Sequence, residues 1–72
     1  MNTYLVTLAD RNTGKQQRIL VQSANDHGMQ DFVDSPEVRT TLTVDDPAVI
    51  AVHQLRVKRP VRGTNLTSLT RR

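Results

Sequence analysis

The sequence predicts an α+β fold, a small ββαβ domain followed by a basic, flexible C-terminal tail. Three observations carry that expectation. Two runs of alternating apolar residues flank an Asn12-Thr13-Gly14 turn, a helix-spaced apolar set at Met29, Phe32 and Val33 follows them, and a β-branched run begins at Val49 after a break at Asp45-Asp46-Pro47. A chain of 72 residues has room for one domain. The expected organisation is a compact unit over 1–59 and a disordered tail over 60–72.

The segment from Thr3 to Ala9 reads as the first strand, with Tyr4, Val6 and Leu8 on one face and Thr3, Leu5 and Thr7 on the other. Asp10 to Lys15 supplies turn chemistry, and Gly14 can take the positive φ that closes a short hairpin. Gln16 to Gln22 returns as the second strand, with Ile19 and Val21 in one register and Leu20 in the other. Ser23 followed by Asp26 has the spacing of a capping box, so the helix is expected to start there, weakened by Gly28 inside it. It should stop near Asp34, because Pro36 disfavours a helical Ser35, and Ser35-Pro36 can open a second short turn through Thr41. Val49 to Lys58 is the third strand, apolar on both faces at its start and so expected there to be central, and Pro60 ends it. In the predicted core Tyr4, Val6, Leu8, Ile19 and Val21 pack on Phe32 and Met29, with Phe32 as the anchor.

Charge is unevenly placed. Residues before Arg56 carry four cations and seven anions, and those from Arg56 onward carry six cations and no anion, for a net +3. Arg56, Lys58, Arg59, Arg62, Arg71 and Arg72 therefore form the expected partner or nucleic-acid contact, neutralising phosphates or an acidic protein surface. The competing reading is a solubilising edge that keeps a strand from pairing with copies of itself. Leu5 and Leu20, on the second face of the hairpin, are expected to form a protein docking face with Arg11 and Lys15.

Several chemistries lack their parts. There is no cysteine, so no disulfide, thiolate nucleophile or cysteine-based zinc site. His27 and His53 are far apart in sequence, and no serine has a nucleophile frame or a nearby base. Asn12-Thr13-Gly14-Lys15 lacks the glycine spacing of a phosphate loop. No catalytic residue, metal or cofactor is expected, and the chain reads as a non-catalytic binding protein rather than an enzyme. Tyr4 and Phe32 are the only aromatics, too few to stack bases once both are used in packing. No apolar run reaches the roughly 20 residues of a membrane span. The N-terminus lacks the pattern of a signal peptide. A cytoplasmic monomer is expected.

The opening Met1-Asn2-Thr3-Tyr4-Leu5-Val6-Thr7-Leu8-Ala9-Asp10-Arg11-Asn12-Thr13-Gly14-Lys15, followed by a second strand, a short helix and a third strand, resembles small bacteriophage transcription regulators of the antiterminator type. The resemblance is one of layout and covers about residues 1–60. It implies a protein that binds host RNA polymerase in the host cytoplasm and alters transcription, by inhibiting initiation or by antitermination. It assigns no role to any single residue. Non-specific contact with an RNA or DNA backbone through residues 56–72 is the second expectation, and inhibition of a host defence enzyme the third.

Overall fold

In β1, Asn2–Asp10, every second residue from Tyr4 to Asp10 is buried, the pattern of a strand with one face on a core. A computed structural model describes residues 1–56 and 66–71, in which β1 is followed by β2 (Gln16–Ser23), α1 (Met29–Asp34), α2 (Pro36–Arg39), β3 (Pro47–Leu55) and β4 (Thr67–Thr70). The sheet has the order β3-β1-β2-β4. β1 pairs antiparallel with β2 on one side and with β3 on the other, and β4 lies parallel to β2. The α+β class and the ββαβ core of the sequence reading stand.

Tyr4, Val6 and Leu8 from β1 and Ile19 and Val21 from β2 meet Met29 and Val33 of α1, Val38 of α2 and Val44 in one buried cluster. Burying a valine or leucine side chain fully contributes about 1.5–3 kcal/mol, so these few aliphatic residues carry most of the stability. Phe32 is only partly buried and packs at the margin of the cluster, which corrects its expected place as the anchor. The fully buried volume belongs to Leu8, Ile19, Val6, Val21, Val33 and Pro47.

The helix starts later than the capping-box reading placed it. Ser23 ends β2, paired with Asn2 and buried, and its Oγ accepts from the Asn25 N–H. Asn25 Oδ1 in turn accepts from His27 N–H, and Gly28 at φ 68° is the residue before α1. A strand that buries its last side chain outcompetes local capping, and a left-handed glycine then redirects the chain. Ser35 does precede α2 with Pro36 in the first turn, although its hydroxyl donates back to the Phe32 carbonyl and does not cap.

β3 also differs from expectation. It starts at Pro47, because a proline without an N–H is tolerated as the first residue of a strand. It is an edge strand and not a central one, the interior strands being β1 and β2. Val57 and Lys58, expected in this strand, lie outside the described residues. A further correction concerns the tail. Residues 66–71 are not disordered: Ile19, Leu20, Val21 and Gln22 pair with Thr67, Ser68, Leu69 and Thr70, and the Arg71 N–H donates to the Gln22 carbonyl at 2.7 Å. Leu69 faces the core beside Val21, and that one aliphatic contact with a free strand edge suffices. Residues 60–65 and Arg72 of the expected tail lie outside the described residues.

One carboxylate fastens the far end of the sheet. Asp10 is 7% exposed, and its Oδ1 accepts from the N–H groups of Asn12 at 2.8 Å and Thr13 at 3.2 Å. Its Oδ2 accepts from the N–H of Asp45 at 3.2 Å. The hairpin turn and the loop entering β3 thus share one anion. Gly14, at φ 75°, closes the turn as its sequence position suggested. The Asn12 N–H holds the Asp10 carboxyl below its ordinary range, partial burial opposes this, and the Thr13, Asp45 and Asp46 N–H groups add to the lowering.

Two measurements check this account. In urea titrations Leu8→Ala should cost about 2–5 kcal/mol and Phe32→Ala distinctly less, reversing the order that ring size suggests. Because the folded Asp10 pKa is lowered, its stabilisation is complete above the unfolded carboxylate range near pH 4 and is lost as pH falls through the lower folded value. The melting temperature should therefore fall on acidification below about pH 4, and Asp10→Asn should melt lower at neutral pH with a shallower acid dependence.

Candidate docking surface

The helices occupy one side of the sheet, and the other side carries no described helix or strand over it. Its residues follow from the alternation: Thr3, Leu5, Thr7 and Ala9 on β1, and Gln16, Arg18, Leu20 and Gln22 on β2. Leu5 sits directly across from Leu20 on one side and His53 of β3 on the other, and Thr7 lies across from Arg18. Leu5 and Leu20 are both half-buried, the degree expected of aliphatic side chains on an uncovered sheet face. A shallow depression of about 360 Å³ touches Leu5, Gln16, Arg18 and Leu66.

The electrostatics of this face come from topology. Six of the seven carboxylates of the chain lie in the connection between β2 and β3, which bears the helices, and the seventh is the buried Asp10. The strand residues of the uncovered face include Arg18 and no carboxylate. The two sides of the sheet therefore differ in sign, a separation visible only once the acidic stretch is placed on one side.

The expected site residues distribute as follows. Leu5 and Leu20 are brought together as expected. Arg11 and Lys15 are at the hairpin turn, away from that pair, and Arg11 is engaged with Asp46 at 3.2 Å. This corrects their grouping with Leu5 and Leu20. The missed cation is Arg18, which the period of two places on the same face as Leu20. Of the basic strip, Arg56 follows β3 and Arg71 follows β4, on opposite edges of the sheet with β1 and β2 between them. The Arg71 guanidinium donates to the His27 carbonyl on the helical side, so Arg56 and Arg71 do not form one cluster. Lys58, Arg59, Arg62 and Arg72 lie outside the described residues.

No group of three metal-ligating side chains converges among the described residues. His53 is exposed on β3, and His27 is exposed with Asp26 at 3.7 Å. Among the described residues no helix is long and apolar enough to cross a membrane. No family model matches the chain, and no curated protein or solved structure shows significant similarity to it.

The β3 edge has a closure of its own. Gln30 Nε2 donates to the Pro47 carbonyl at 3.0 Å, and its Oε1 accepts from the Val49 N–H at 2.9 Å. One side-chain amide thus bonds to alternate residues of the strand as a neighbouring strand would. The run Ala48 to Leu55, which holds no Asp, Glu, Lys or Arg and has Ile50 53% exposed, is the kind of edge that pairs with copies of itself. Gln30→Ala should raise the apparent mass in concentration-dependent light scattering, with little change in circular dichroism.

Proposed function

We propose that the chain is a non-catalytic binding protein of the phage-regulator kind, docking through its uncovered sheet face on a large host protein, with RNA polymerase as the first candidate. The observation that carries this reading is the carboxylate-free face with Leu5 and Leu20 paired at its centre and Arg18 beside them. Such a face suits a partner surface with an apolar centre and an acidic surround. Apolar contact would supply affinity, and the cations would steer the approach and set the orientation. Arg56 beside Leu55 adds to the same polarity at the sheet's edge, and the sequence continues with Lys58, Arg59 and Arg62.

Nucleic acid is the weaker partner. Tyr4 is in the core and Phe32 is on the helical side, so the uncovered face offers bases no ring to stack on. Contact with a backbone alone would be steeply salt-dependent. The reading is tested by capture from bacterial lysate with and without nuclease, followed by direct titration with purified polymerase. A nuclease-resistant polymerase band with saturable binding is the expected result. Arg18→Glu and Leu20→Gln should each weaken that binding about tenfold while melting as the parent does. Loss of all partners on nuclease treatment would transfer the function to backbone binding.

A further inference from the structure

On the helical side of the sheet the covering layer is incomplete. α1 packs on β3 and on α2, and neither helix makes a comparable contact with β4. Between the helices and β4 lies an open groove of about 590 Å³, whose apolar part comes from Phe32 of α1, Val38 of α2 and Leu69 of β4. Phe32 and Leu69 are only partly buried, so each still shows apolar surface to water. Asp31 and Glu37 stand on the wall formed by the helices, both exposed, and neither makes an ion pair among the described residues. The wall formed by β4 holds no carboxylate. Arg71 closes one end, its guanidinium turned to the His27 carbonyl.

We propose that this groove binds an amphipathic helix of a partner protein, one with an apolar stripe and basic residues along one flank of it. A sheet face and its helices pack as two layers, and the gap beside α1 and α2 is the place of one more helix in theirs. A helix satisfies its own backbone groups, whereas an extended peptide lying on side chains would leave its N–H and C=O groups without partners. A strand added at the edge of β4 would turn every second side chain to the reverse of the sheet. On a helix, residues at i, i+3, i+4 and i+7 form one stripe, and the positions beside the stripe lean towards one wall of the groove. The stripe covers Phe32, Val38 and Leu69. Lysine or arginine on the flank nearer α1 and α2 reaches Asp31 and Glu37, its stem lying along the apolar surface. The same two carboxylates oppose a phosphate backbone. The site is independent of the Leu5–Leu20 face, because the sheet lies between them, and each can fail without the other.

The test uses the full chain, isotope-labelled, with a capped alanine-based peptide of about 15 residues, long enough to be helical by itself. It carries a leucine stripe at helical spacing and lysines along one flank. Controls are the counterpart with glutamate for lysine, and a version with a central proline that breaks the helix. Saturable binding of the lysine peptide is expected, with amide shifts along α1 and α2 and at Leu69. The Asp31→Asn, Glu37→Gln double variant alters only exposed side chains and should bind about tenfold more weakly at low salt. The glutamate peptide should bind more weakly than the lysine peptide, and the proline peptide should not saturate. The proposal is overturned if the lysine peptide does not saturate, if glutamate or proline peptides bind equally well, or if the double variant binds like the parent. Shifts confined to β3 or to the Leu5–Leu20 face would overturn it as well.

Discussion

The Asp10 carboxylate is the constraint on which the rest of this small fold depends. It ends β1, and its oxygens collect N–H groups from the hairpin turn and from the loop that delivers β3. Both neighbours of β1 are thereby aligned at the same end, and the backbone bonds from Asp10 to Lys15 and from Arg11 to Asp46 continue the alignment. No cation pairs with Asp10 among the described residues, so the charge is held by peptide dipoles. An ion pair at this point would depend on a long side chain keeping one rotamer. Backbone donors do not, and they leave Arg11 and Arg39 to gather at the more exposed Asp46.

From that alignment follows the division of charge between the two sides. The connection from β2 to β3 crosses β1 on one side only, and it contains six carboxylates. A sequence with the same net charge and a different connection would mix the signs. Here Asp31 and Glu37 line a groove over β4 while Arg18 stands among neutral residues on the reverse. The binding properties proposed for each side are thus consequences of topology before they are consequences of any one residue.

Local patterns were legible in the sequence, and pairings between distant segments were not. The hairpin announced itself through alternation and through Gly14, whose positive φ no other residue of the turn supplies at comparable cost. Leu5 and Leu20 could be put on one face by counting in twos, and Arg18 was open to the same count. Ser23 looked like a helix cap because capping is a local property, yet the strand buries it. β4 was hidden because a short polar run gains order only from an edge that lies elsewhere, and nothing within Thr67–Thr70 points to Ile19–Gln22. Pro47 looks like a break in the sequence for a similar reason, since its tolerance depends on being first in a strand.

The parallel pairing of β4 bears on the order in which the molecule forms. The β1–β2 hairpin closes over a turn of a few residues, whereas joining Thr67 to Ile19 requires a much longer loop. Loop-closure entropy and the kinetic cost of non-local contacts put that pairing last in the sequence of events. In the native protein the same strand, with four residues and one aliphatic contact, belongs to the lowest rung of local opening. The amide protons of Thr67 and Leu69, which face β2, should therefore exchange through a sub-global excursion that leaves the hairpin closed. Those of Val6 and Ile19, buried and paired between β1 and β2, should exchange only when the whole molecule unfolds.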